Sequence, residues 1–224
     1  MIGELIIKRL PDHFFSDVRS YSKLLLSNHF YSLLSDYQYI LIYQLDCLIF
    51  SDRLKYWISM GYDYIGAPLF RSKTDPNLGF SHVGNGGLSL RKVESFIHVL
   101  ESKHVPNWAD TLRVPMPDLK DLGTLQRLFK RIRAIKTAQR GVSWYTEHYT
   151  LNEDLFWSDR ARLFYPKFNI APVDVALKFA FERFPSYCYE QNNRQLPFGC
   201  HAWAKWDREF WEPFLINSNN SSNP

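Results

Sequence analysis

Four short stretches of this sequence place reactive side chains where an α/β protein can use them. Gln44-Leu45-Asp46 interrupts the apolar run from Tyr37 to Phe50. A carboxylate at the carboxyl end of a buried strand lies where such sheets present their ligands. An unpaired charge there is costly, so Asp46 needs a partner. It either caps the next segment, pairs with an arginine such as Arg53, or serves as a ligand of a hard cation, Mg²⁺ or Mn²⁺, which takes few carboxylates plus substrate phosphates. Gly84-Asn85-Gly86-Gly87 precedes the strand-like LSLRK. These glycines permit a tight turn, and equally a close approach of backbone to a ligand, although their spacing is neither the dinucleotide nor the P-loop pattern. Asn152-Glu153-Asp154 reads as a helix start, with Asn as cap and two acids complementing the dipole; held in a cleft, one of the carboxylates can act as a general base toward a hydroxyl. His201 sits in PFGCHAW, a turn of aromatic and small residues. Alone it is a structural histidine; with Asp46 it completes an oxygen and nitrogen site for a metal.

The elements that must position these groups follow from periodicity. Asp17 to Leu34 has apolar residues at helical spacing, and Tyr37 to Phe50 is too continuously apolar to be half exposed, which predicts a strand buried on both faces. Ser51 or Asp52 can cap a short helix, and Asp63 to Pro68 reads as a short strand ending at its proline. Phe70 to Gly87 is loop-like and delivers the chain into LSLRK. Pro106 to Gly123 is irregular, part of an insertion spanning about 103–146. Within it, Thr124 to Arg140 spaces Leu125, Leu128, Phe129, Ile132 and Ile135 three and four apart, among six Lys or Arg and no acid. That is a basic amphipathic helix, expected to meet an anionic surface: a membrane face or a phosphate-bearing acceptor. Further helices are expected from Asn152 to Trp157, from Pro172 to Phe181 and from Trp203 to Phe214.

Composition narrows the function classes. The chain has 224 residues, 46% hydrophobic and 17% aromatic, enough for one domain with a core of its own and unlike a disordered chain. Residues 1–216 are expected to form that domain and 217–224 a low-complexity, disordered tail. The excess of 27 Lys and Arg over 23 Asp and Glu leaves +4, which tolerates anionic ligands without indicating a nucleic-acid binder. Three cysteines without a Cys-x-x-Cys pair fit a reducing compartment. No apolar stretch approaches the ~20 residues of a membrane span. A cytoplasmic protein is expected, with peripheral contact at the inner face of the membrane.

Taken together and in this order, the four features resemble the glycosyltransferases of the GT-A fold. More closely, YQLD, DYIGAP, GNGGLSLR, NEDLFW, FAFE and PFGCHAW are similar to a bacterial glycosyltransferase-like domain family of uncharacterised function, over about residues 5–214. The resemblance implies an α/β, GT-A-like mixed sheet flanked by helices, beginning after the first nucleotide-binding strand. It implies transfer of a sugar from a nucleotide-sugar donor to a glycan or glycolipid acceptor in surface polysaccharide synthesis, with inversion and with Mn²⁺ or Mg²⁺ as cofactor. Asp46 would take the acidic metal position and His201 the late metal or phosphate contact. Gln44, where the commoner pattern has Asp, would join Gly84, Asn85, Gly86, Gly87 and Arg91 around the donor. Asp154 would be the base and Glu153 its neighbour. A non-catalytic module binding glycan or nucleotide-sugar is the alternative, and a metal-dependent phosphoester hydrolase built on Asp46 and His201 ranks below it.

Overall fold

The computed structural model describes residues 6–113 and 122–216; the expected tail at 217–224 lies outside them. The architecture is mixed α/β, with small open sheets among short helices. The amino-terminal region forms α1 (Val18–Leu25) and α2 (Asn28–Ser32) rather than one long helix. Each has its own start signal: the Asp17 side chain accepts the Ser20 N–H, and the Ser27 side chain that of Phe30, satisfying amides that a first turn leaves open.

Then come β1 (Tyr39–Tyr43), β2 (Leu48–Ile49), α3 (Leu54–Ser59), β3 (Tyr64–Ile65), β4 (Ala67–Phe70), β5 (Phe80–Gly84) and β6 (Leu88–Lys92). The single buried strand expected over Tyr37 to Phe50 is not formed. The Gln44 N–H donates to the Gly87 carbonyl, and the Cys47 N–H to the Gln44 carbonyl, each at 3.0 Å. The chain therefore turns through Leu45, which is fully exposed, and β2 enters a different sheet. The middle of the first sheet, ordered β1-β6-β3, is β6, paired antiparallel to both neighbours; Leu88, Ser89, Leu90 and Arg91 are all buried, whereas β1 is half-buried at an edge. The strand expected to stop at Pro68 continues, because β4 pairs only with β5, antiparallel, and a proline is tolerated on an edge strand.

The remainder is α4 (Val93–Leu100), α5 (Trp108–Arg113), α6 (Thr124–Ala138), α7 (Val142–Glu147), α8 (Glu153–Asp159), α9 (Ala161–Phe164), α10 (Val173–Phe179), β7 (Ala180–Phe181), α11 (Pro185–Gln191), β8 (Gly199–Cys200) and α12 (Arg208–Ile216). The helix expected to run to Phe181 ends two residues sooner, and Ala180–Phe181 joins a sheet ordered β2-β8-β7. No described helix is long and apolar enough to cross a membrane.

An aromatic stack ties α2, α4 and α8 together. The Phe96 ring lies 4.1 Å from Trp157, 4.9 Å from Tyr31 and 5.3 Å from Phe168, centroid to centroid. Inside it sits a buried ion pair. Arg91 Nη2 donates to Glu153 Oε1 at 2.9 Å, Nη1 to the Tyr31 hydroxyl at 2.8 Å and Nε to Ser89 Oγ at 3.0 Å. The Tyr31 hydroxyl passes its own proton to the Leu25 carbonyl. Removing one member of a buried pair leaves an uncompensated charge. Arg91→Met should therefore destabilise the protein by about 3–5 kcal/mol in urea unfolding, with much of the loss recovered when Glu153→Leu is added. A single-variant loss below about 1 kcal/mol would mean that the pair is not the clamp its geometry implies.

Candidate functional site

Sheet topology brings the polar residues to one place. β2 runs antiparallel to β8, with Leu48 opposite Cys200, and β7 runs parallel to β8, with Phe181 beside Cys200. The residues just before β2 and just after β7 and β8 therefore share one end of the sheet: Asp46, Glu182 and His201. In the first sheet Tyr43 lies opposite Leu88, which puts Gln44, after β1, beside Gly87, before β6. β5 delivers Gly84 and Asn85 to the same end, and α8 brings Glu153 and Asp154.

All of these except Gly84, which was expected at the donor, line a cavity of about 420 Å³ together with Tyr21, Ser22, Arg183, Lys205 and Trp206, within the ~300–1,000 Å³ range of small-molecule sites. The His201 imidazole is its hub. Nε2 faces Gln44 Oε1 at 3.1 Å and Asp46 Oδ1 at 3.4 Å, while Nδ1 lies 3.3 Å from Glu182 Oε1. Asp46 thus pairs with His201, not with Arg53. Two oxygens and an imidazole nitrogen on one side of the ring are a donor set suited to Mn²⁺ or Mg²⁺ with further oxygens from a phosphate ligand. Glu182 lies on the other side, near Nδ1, which is buried and makes no hydrogen bond in this arrangement; a carboxylate in that place can orient a ligating histidine. Among the described residues no group of three or more His, Cys, Asp or Glu is arranged to hold a metal ion, so the amide oxygen of Gln44 is needed to complete the set.

Asp154 lines the same cavity. Its Oδ2 accepts the Asn85 N–H at 2.9 Å. Burial pushes its carboxyl above the usual carboxylate range; the Asn85 N–H opposes this rise and the negative charge of Glu182 adds to it. Glu153, its neighbour, points the other way into the pair with Arg91. Arg91, expected at the donor, is fully buried and holds Glu153, Tyr31 and Ser89; a guanidinium so enclosed has no access to a ligand and acts by fixing α8. Asn152 stands at the cap position of α8 but makes no side-chain capping bond, and it faces the cavity instead.

The glycine loop is shaped by its neighbours. A Cβ on Gly87 would fall on the His201 imidazole, one on Gly86 on Glu153 Oε1, and one on Gly84 would come 2.5 Å from Leu69 Cδ1 and 3.1 Å from Asp154 Oδ2. The loop amides are engaged within the protein: Gly87 and Leu88 donate to Asn85 Oδ1, and Asn85 donates to Asp154. Asn85 itself has φ +82°, a left-handed conformation that Asn tolerates better than most residues. Its Nδ2 is buried without a hydrogen-bond partner. The glycines thus let the loop lie against the neighbouring side chains, with the Asn85, Gly87 and Leu88 amides held within the protein.

One comparison with known proteins decides the family, because its match covers residues 4–201 and so spans every group from Gln44 to His201. The chain belongs to the DUF5672 family. DUF5672 is described as a protein family of unknown function. No curated protein and no solved structure matches the chain. Within this DUF5672 chain, Glu182, Arg183, Lys205 and Trp206 are site residues that the sequence reading did not assign. Glu182 carried a usable signal, a carboxylate directly after the buried run Phe179–Phe181, the same pattern that marks Asp46.

The contact between Gly87 and His201 generates a prediction. Gly87→Ala should cost about 1–3 kcal/mol in the natural background, as overpacking does. In a His201→Ala background the same change should cost less than about 1 kcal/mol, because the clash is gone. Equal costs in the two backgrounds, measured by urea unfolding, would show that the imidazole does not lie on Gly87.

Proposed function

We propose that the protein is a glycosyltransferase of GT-A type, moving a sugar from a nucleotide-sugar to a glycan or glycolipid hydroxyl. One observation carries this reading. A donor set suited to a divalent cation (Gln44, Asp46, His201) and a desolvated carboxylate, Asp154, line one cavity. Glycosyl transfer needs that combination, a site for the diphosphate leaving group and a base for the incoming hydroxyl.

A cation held by Asp46, His201 and Gln44 would supply Lewis-acid stabilisation of the departing diphosphate. The chain's own residues do the rest. Asp154, held in place by the Asn85 N–H, takes the acceptor hydroxyl's proton as that oxygen bonds to the anomeric carbon. The bond from that carbon to the diphosphate oxygen breaks, its electron pair leaving with the nucleotide, and attack from the opposite face inverts the centre. Arg183 and Lys205, both beside Trp206, place positive charge at the cavity wall against the phosphates. Glu182 orients His201.

Two experiments test the roles. Asp154→Asn should lower turnover by about 10²–10⁴-fold, the range of general-base catalysis, with donor affinity kept. In the natural protein the base must be deprotonated, so kcat/KM should fall as pH drops through a pKa raised above the usual carboxylate value of about 4. An acid limb at or below that value would remove Asp154 from the role. Asp46→Asn should eliminate the Mn²⁺-dependent part of nucleoside diphosphate binding, read by calorimetry, without loss of fold; an unchanged Mn²⁺ dependence would reject the ligand assignment.

A further inference from the structure

The first half of α6 projects from the protein. Every residue from Thr124 to Lys130 is exposed, and Leu125, Leu128 and Phe129 are 71%, 49% and 68% accessible. Their spacing of three and four puts them on one helix face. The helix is anchored by its last turns, where Ile135 and Ala138 are buried. Single exposed leucines are ordinary, but three large apolar side chains aligned on one projecting turn form a surface with a purpose.

The charge around that stripe has one sign. Arg127, Lys130, Arg131, Arg133, Lys136 and Arg140 lie on or just after α6, and no Asp or Glu occurs between Leu122 and Thr146. At 100° per residue, Arg133 and Arg140 follow one edge of the apolar stripe, and Lys136 lies in angle between Leu125 and Phe129, on the stripe itself. With Phe129, Ile132 and Trp144 they line an open groove of about 390 Å³, in which the Arg140 guanidinium lies 4.4 Å over the Trp144 ring. Apolar tip, basic flank and an indole at their boundary are the three parts of a helix that lies in a membrane interface. A nucleic-acid backbone would use the charges and leave the Leu and Phe side chains in water.

We propose that α6 docks this protein on an anionic lipid bilayer. Leu125, Leu128 and Phe129 enter the boundary between headgroups and acyl chains. Arg133, Lys136 and Arg140 meet the lipid phosphates, and Trp144 lies at the interface. The proposal is independent of the chemistry assigned to the cavity.

Cosedimentation of the full chain with vesicles tests it, using phosphatidylcholine alone and phosphatidylcholine mixed with one-third phosphatidylglycerol, at low and high salt. Binding to the anionic vesicles at low salt is expected, weakened by salt and absent with phosphatidylcholine alone. Arg133→Glu/Lys136→Glu/Arg140→Glu should weaken binding by at least about a hundredfold. Leu125→Ser/Leu128→Ser/Phe129→Ser should weaken it at least about tenfold while leaving the salt dependence in place. These positions are exposed, and circular dichroism should report unchanged folding for both variants. Equal binding to neutral and anionic vesicles, an apolar variant that binds like the natural chain, or no sedimentation at low salt each overturns the proposal; in the last case a soluble acidic protein becomes the partner that the basic face fits.

Discussion

The buried pair between Arg91 and Glu153 is the constraint on which the rest of the site depends. Arg91 is the next-to-last residue of the central strand β6, and Glu153 is the first residue of α8. Their contact at 2.9 Å fixes where that helix begins. Two ions taken out of water need good geometry and further hydrogen bonds; Tyr31 and Ser89 accept from the guanidinium's other two nitrogens, while Glu153 Oε2 is left without a partner. The neighbouring residue, Asp154, is thereby presented to the cavity at a set height above the glycine loop. Glu153 and Asp154 are adjacent in sequence and divide two jobs, one holding the fold and the other facing the ligand.

The His201 part of the cavity is set by strand direction rather than by a salt bridge. β2, β7 and β8 are each only two residues long, so the residues flanking them emerge together. Asp46 lies more than a hundred residues before Glu182 and His201, and still the two carboxylates flank the His201 imidazole. The close packing of that imidazole on Gly87 and of Glu153 on Gly86 explains why small residues recur in the glycine loop.

Much of this was legible in the residues, and the failures have physical causes. Local signals located the elements well where one face is apolar, as in α6, and a carboxylate interrupting an apolar run marked Asp46 as a residue of the cavity. Pairing was not legible. Nothing in Tyr37 to Phe50 says that the chain turns at Gln44, because the turn is fixed by a hydrogen bond to Gly87, a residue far along the chain. The same limit hid the role of Arg91. The family resemblance implied a donor contact, whereas its environment is decided by Tyr31 and Glu153, which reach it from distant segments. Glu182 was visible as a type and position, but its partner His201 becomes apparent only when β7 and β8 are laid side by side.

The central claim is that one cavity binds a nucleoside diphosphate together with a divalent cation. The most direct measurement is the unfolding temperature of the natural chain with uridine, guanosine, cytidine, adenosine and thymidine diphosphates, each with and without Mn²⁺, since a ligand that binds only the folded state raises apparent stability with its concentration. The account predicts that at least one diphosphate raises the unfolding temperature, concentration-dependently, in the presence of Mn²⁺ and far less in its absence. No rise with any of the five, or a rise indifferent to Mn²⁺, would contradict it.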